Sequence, residues 1–218
     1  MALIPGIGIF GGTFDPIHMG HLEISRAVRD HYGLKELHLV PAFKNPLRED
    51  HEITTSPVDR LEMIRLAIKG EPGLVCNDIE IERAKHNPGM SYTIETIKEF
   101  RSTSPSEPLI LIVGADNVAF HNWFLAVEFP EYLEKIAVVS RPGMKSRMDE
   151  TLNIVKGMYP SIWMLIDYLE IVQNPVSSTL IREELADGVI PENALHPEVE
   201  KYIKDRGLYG FRGEPSRS

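Results

Sequence analysis

The sequence predicts a doubly wound α/β fold, Rossmann-like, with a mostly parallel sheet. Three observations carry that expectation. Short β-branched runs alternate with stretches of helical periodicity. The run Leu109-Ile110-Leu111-Ile112-Val113-Gly114 is apolar without alternation, as a strand covered on both faces must be. The first strand ends at Gly11-Gly12 and leads into a helix, which is where α/β sheets take their ligands.

Ile4 to Phe10 reads as the first strand, ended by the two glycines. From Gly20 to His31 the spacing of Leu22, Ile24, Ala27, Val28 and His31 suits a helix with one inward face, stopped by Gly33. Glu36 to Val40 is the next strand, closed by Pro41. Ser56-Pro57 announces a second helix, with a capping hydroxyl, proline at the first helical position and Asp59 as the acidic partner. Leu61, Ile64, Leu66, Ala67 and Ile68 form its apolar side before Gly70. Leu74 to Cys76 and Ile79 to Ile81 read as strand fragments, and Ser91 to Phe100 as a helix. Ile136 to Ser140 and Ile162 to Ile166 follow as buried strands. Helices at Ser178 to Ala186 and His196 to Asp205 close the pattern. Residues 1–210 are expected to form one domain, with 211–218 a loose polar tail.

Acidic residues outnumber basic ones, giving a formal charge of −9, which argues against a broad nucleic-acid surface. A small phosphate pocket built from a few local cations and N–H groups remains open. Cys76 is the single cysteine, so no intrachain disulfide and no cysteine-based zinc site can form. The apolar N-terminus lacks a basic n-region and runs into a glycine turn, so it reads as a strand rather than a signal peptide. The chain contains no 18-residue apolar run. The expected location is cytoplasmic, with no membrane or nucleic-acid partner; a homo-oligomer is compatible with the sequence.

The densest chemical signal is Gly11-Gly12-Thr13-Phe14-Asp15-Pro16-Ile17-His18-Met19-Gly20-His21. It is neither a Gly-x-Gly-x-x-Gly dinucleotide fingerprint nor a Walker A loop. The glycines let backbone approach a ligand, and His18 and His21 share a face at a helix start, where free N–H groups favour an anion. Taken singly, each histidine is more often a cap or a surface residue. A closed zinc site has no support from spacing. Ser177-Ser178-Thr179 before Ile181-Arg182 is a second helix start where hydroxyls and a guanidinium converge, although such a cluster alone is usually an N-cap.

These strings together resemble the nucleotidyltransferase superfamily with a His-x-Gly-His motif, here His18-Met19-Gly20-His21. Within it the sequence is similar to the bacterial nicotinate-nucleotide adenylyltransferases. The matching elements include Ser91-Tyr92-Thr93, Gly114-Ala115-Asp116-Asn117 with Phe120-His121-Asn122-Trp123, Arg141-Pro142-Gly143 and Ser177-Ser178-Thr179-Leu180-Ile181-Arg182. In order, they cover residues 6 to 209.

The resemblance implies ATP and nicotinic acid mononucleotide as substrates, with deamido-NAD and pyrophosphate as products. It assigns catalysis to His18, His21 and Arg182. It assigns ATP to these three and to Gly11, Gly12, Thr13, Asp116, Ser178 and Thr179. Trp123 would stack on the pyridine ring, and backbone near Tyr92 and Thr93 would take its carboxylate. Mg²⁺ would arrive mainly on the ATP phosphates, without a dedicated protein ligand. One segment departs from the family. Where relatives often carry Pro-Pro-His-Lys, this chain has Phe43-Lys44-Asn45-Pro46-Leu47-Arg48, leaving Lys44 and Arg48 as alternatives for the mononucleotide phosphate.

Three rivals fit less of the sequence. A pantetheine-phosphate adenylyltransferase leaves Ser91-Tyr92-Thr93 and Trp123 unexplained. A class I aminoacyl-tRNA synthetase would need a Lys-Met-Ser-Lys-Ser string, which is missing. A non-catalytic nucleotide-binding protein would have no need of His18, His21 and Arg182 together.

Overall fold

A computed structural model describes residues 5–44, 54–115, 125–140, 153–172 and 176–212. Within them, six strands pair in parallel in the order β3-β2-β1-β4-β5-β6. They are β1 (Ile7–Gly12), β2 (Glu36–Pro41), β3 (Leu74–Cys76), β4 (Leu109–Gly114), β5 (Lys135–Ser140) and β6 (Ile166–Glu170). The order reverses direction between β1 and β4, which opens a crevice at the carboxyl ends of those strands.

Alternate residues of each strand face opposite layers. Phe10, Leu37, Leu39, Ile110, Ile112, Ala137 and Val139 pack on one side, under α1 (Met19–Tyr32), α2 (Pro57–Ala67) and the C-terminal helices. Ile9, Val40, Leu111, Val113, Ile136 and Val138 pack on the other. That second layer includes Ile94, Ile97 and Phe100 of α4 (Thr93–Thr103). Both faces are therefore covered, which explains the unbroken apolar run in β4.

Ser56 caps α2 as its sequence announces. Its Oγ accepts from the Asp59 N–H at 3.1 Å and donates to Asp59 Oδ2 at 2.6 Å. Two later elements complete the layer: α6 (Ser178–Ala186) and α7 (Pro197–Arg206). From α7, Tyr202 and Arg206 reach Asp59 Oδ1 at 2.9 and 3.1 Å, strapping the C-terminal region onto α2.

Beyond shifts of one to three residues at other ends, the structure differs from the sequence reading in three segments. Gly11 and Gly12 belong to β1, because the ladder continues through Gly11 opposite Val40 and Gly12 opposite Pro41. Ile79 to Ile81 is the start of a helix, α3 (Ile79–His86), and not a strand. Asn77 Oδ1 accepts the Ile79 N–H at 3.0 Å and turns the chain, and Ile81 and Ala84 then fall on its buried side. Ile162 is also helical, in α5 (Pro160–Trp163), which Pro160 starts at its first position. The strand begins only at Ile166, where pairing with Ile136 starts. In both segments short apolar spacing suits strand and helix equally, and a local cap decides.

Candidate functional site

The crevice is built first from the turn after β1. Phe14 adopts φ 52°, the left-handed region, which costs a non-glycine residue on the order of 1–3 kcal/mol. Packing holds it there: its ring lies edge-on to Phe10 at 5.6 Å and to His21 at 4.9 Å. Gly12 makes room for that ring, since a Cβ at this position would sit 3.0 Å from it.

His18 then caps α1 in an extended conformation, with His21 three residues on. The His18 N–H donates to His21 Nδ1 at 3.2 Å, and the two imidazoles stack with centroids 3.7 Å apart. This bond makes Nδ1 an acceptor, so the neutral ring of His21 carries its proton on Nε2. Burial and the neighbouring His18 hold the His21 pKa well below its ordinary value. The ring is a neutral donor in the free protein, and its tautomer is set by backbone.

The start of α6 docks on the same turn. Ser177 caps that helix, accepting from the Leu180 N–H at 3.2 Å. Ser178 Oγ donates to the Pro16 carbonyl at 3.0 Å, and Arg182 Nη1 donates to the Asp15 carbonyl at 2.8 Å. Arg182 Nη2 also approaches Thr179 Oγ1 at 3.5 Å. Residues more than 160 positions apart in sequence thus meet on one loop. Two helix N-termini, each with N–H groups that no intrahelical carbonyl can satisfy, converge there.

The adjoining part of the crevice lies at the end of β2. The Ala42 N–H donates to the Gly12 carbonyl at 2.9 Å, placing the two turns side by side. Ser91 Oγ accepts from the N–H groups of Phe43 at 3.0 Å and Lys44 at 3.3 Å, and the Ser91 N–H returns to the Lys44 carbonyl at 2.8 Å. These bonds set Lys44 beside Tyr92 and Thr93, the cap and first residue of α4.

A family model described as cytidylyltransferase-like matches residues 9–184. A probable nicotinate-nucleotide adenylyltransferase of Oceanobacillus iheyensis is 37% identical over 94% of this chain and 97% of its own length. Another with the same name, from Dehalococcoides mccartyi, is 36% identical over 93% of this chain and 96% of its own. The chain belongs to the nicotinate-nucleotide adenylyltransferase family. Its fold is shared with the solved Plasmodium falciparum nicotinic acid mononucleotide adenylyltransferase complexed with NaAD. That structure has a TM-score of 0.73 at 18% identity and covers 94% of this chain and 98% of its own.

For a member of this family, the sequence expectations fall into three groups. His18, His21, Gly11, Gly12, Thr13, Ser178, Thr179 and Arg182 come together around the β1 turn. Lys44, Tyr92 and Thr93 come together at the end of β2. Arg48, Asp116 and Trp123 lie outside the described residues. No described helix is long and apolar enough to cross a membrane.

The sequence reading missed what lies beneath. Asp15 is buried and accepts from Thr54 N–H at 2.8 Å, Thr55 Oγ1 at 2.5 Å and Tyr209 OH at 2.9 Å. Burial, with the adjacent Asp15 carboxyl, pushes the Tyr209 phenol above its ordinary range, so it acts as a donor. Arg60 is buried among backbone carbonyls. A signal existed for Arg60: it shares a helical stripe with Met63, Ile64 and Ala67, where a charge is out of place.

His21 gives a pH prediction. The unfolded chain protonates this imidazole near about 6.5, while the folded protein resists doing so. The unfolded state then binds more protons, so stability falls as pH drops below about 6.5, by at most about 1.4 kcal/mol per unit. His38, lowered chiefly by its own burial, adds the same sign. Urea unfolding from pH 7.5 to 5 should show a shallower fall in His21→Gln than in wild type. Identical slopes would mean that His21 titrates normally.

Proposed function

We propose that the protein transfers the adenylyl group of ATP to nicotinic acid mononucleotide, giving deamido-NAD and pyrophosphate. Beyond family membership, the observation that carries this reading is the docking of Ser178 and Arg182 onto the turn that also presents His18 and His21. It creates a positively polarised cleft, with a third helix start, that of α4, and Lys44 alongside for an acceptor.

A 5′-phosphate oxygen of the mononucleotide attacks the α-phosphorus of ATP. The bond from that phosphorus to the oxygen bridging the β-phosphate breaks, and pyrophosphate leaves with the bonding electrons. The nucleophile is already an anion, so no enzyme hydroxyl or thiol needs activating. What the chain supplies is placement and charge stabilisation. His21, whose Nδ1 is taken by its backbone bond, donates from Nε2–H to a phosphate oxygen; His18 flanks it. Arg182 answers the charge on the transferring and leaving groups with a planar fork, while Ser178, Thr179, Thr13 and the N–H groups of Gly11 and Gly12 line the polyphosphate. Tyr92 and Thr93 offer first-turn N–H groups to the pyridine carboxylate, with Lys44 or Arg48 on the mononucleotide phosphate. Trp123 and Asp116 are proposed for the pyridine ring and the adenylate ribose.

Among the described residues no three His, Cys, Asp or Glu side chains converge to hold a metal. Mg²⁺ would enter on the ATP phosphates and neutralise part of the polyphosphate charge.

Nicotinic acid mononucleotide should be preferred over nicotinamide mononucleotide. A carboxylate accepts several N–H bonds, whereas a carboxamide sets its NH₂ against them, a mismatch of roughly 1–3 kcal/mol per group. The test is kcat/KM for both acceptors at saturating Mg-ATP, read as pyrophosphate. A preference of about tenfold or more is expected; equal values contradict the deamido assignment, and turnover with phosphopantetheine alone overturns the substrate class.

In the same assay His18→Ala and His21→Ala should each lower kcat about 10²–10³-fold with little change in ATP affinity. Arg182→Lys should also be impaired, because the charge stays and the fork is lost. Near-normal turnover in the histidine variants would remove them from the chemistry.

A further inference from the structure

Arg60 has no exposed surface, and burying a guanidinium is costly unless its donors are engaged. Its donors go to backbone of two different turns. Nη1 reaches the Thr13 carbonyl at 2.8 Å and the Ala42 carbonyl at 2.6 Å, and Nη2 reaches the Phe43 carbonyl at 3.3 Å. Nε has no hydrogen-bond partner among the described residues. An apolar residue would fill this helix stripe without desolvating a charge, so packing alone does not call for arginine.

The two turns are the halves of the proposed reaction. Thr13 belongs to the polyphosphate side. Phe43 and Lys44, tied to Ser91, belong to the acceptor side. The charge of Arg60 is opposed by Asp15, among others. Asp15 is gripped in turn by Thr54, Thr55 and Tyr209, and its own carbonyl holds Arg182. Tyr209 reaches it from a left-handed backbone at φ 59°, a strain that the contact must offset.

We propose that Arg60 is a positioning residue for the transfer step, whose planar fork fixes the separation of the ATP turn and the acceptor turn, with Asp15 and Tyr209 as its anchor. This rests on the adenylyl-transfer reading above. An in-line displacement is sensitive to the spacing of its two reactants; a misplacement of about 1 Å can cost about 10²-fold in rate. A lysine keeps the charge on a flexible stem but cannot span three carbonyls with one rigid plane.

The experiment compares wild type, Arg60→Lys and Tyr209→Phe. It measures pyrophosphate release with Mg-ATP and nicotinic acid mononucleotide, and calorimetric binding of each substrate alone. Arg60→Lys should bind each substrate within about threefold of wild type yet lose about 10²-fold in kcat. Tyr209→Phe should show the same split, smaller in size. Should Arg60→Lys fail to fold, Tyr209→Phe alone carries the test. Unchanged kcat in the folded variants, or losses confined to single-substrate affinity, would overturn the assignment. A wild-type protein that releases no pyrophosphate would instead overturn the function, and this inference with it.

Discussion

The carbonyl oxygens of Thr13, Asp15 and Pro16 accept hydrogen bonds from Arg60, Arg182 and Ser178, donors drawn from α2 and α6. That set of bonds is the constraint on which the site depends. A six-residue turn with one left-handed aromatic would otherwise have many conformations, and each ordered residue costs about 1–2 kcal/mol of backbone entropy. Fixing its carbonyls from behind defines where β1 stops and where His18 caps α1. It also sets where the second helix start docks. The network extends further: Arg60 also donates to the Phe43 carbonyl in the turn after β2, and the Asp15 carboxylate accepts from Tyr209 of the C-terminal turn.

Electrostatics at the site are local rather than global. The chain carries a formal charge of −9, yet the cleft gathers Arg182, Lys44 and the positive ends of three helices. His21 adds a directed neutral donor instead of a charge, because burial and His18 disfavour protonation. Beneath it lie the buried Arg60 guanidinium and the buried Asp15 carboxylate, of opposite charge, which order backbone and loop groups behind the partly buried Arg182, Lys44 and His21.

Much of this was legible in the sequence, for identifiable reasons. The α/β class followed from β4 and the alternation around it, since a strand covered on both faces leaves no polar phase to read. The pairing of His18 with His21 followed from helical spacing, and α6 from its Ser177 cap. Segments 79–81 and 162–166 misled because their apolar spacing fits either period, and Asn77 and Pro160 settle the outcome locally. Asp15 was part of the quoted string, but its partners Thr54, Thr55 and Tyr209 come from far along the chain. Long-range side-chain networks of that kind leave no periodic trace.

At the centre of the account stands direct transfer between two substrates held by a preorganised cleft, with no covalent adenylyl-enzyme. The most direct measurement uses one diastereomer of ATP carrying sulfur at the α-phosphorus, with nicotinic acid mononucleotide as acceptor, and determines the configuration at that phosphorus in the dinucleotide. A single in-line displacement inverts the centre. Inversion is the predicted result, and retention, the mark of two successive displacements through an enzyme-bound adenylate, would contradict it.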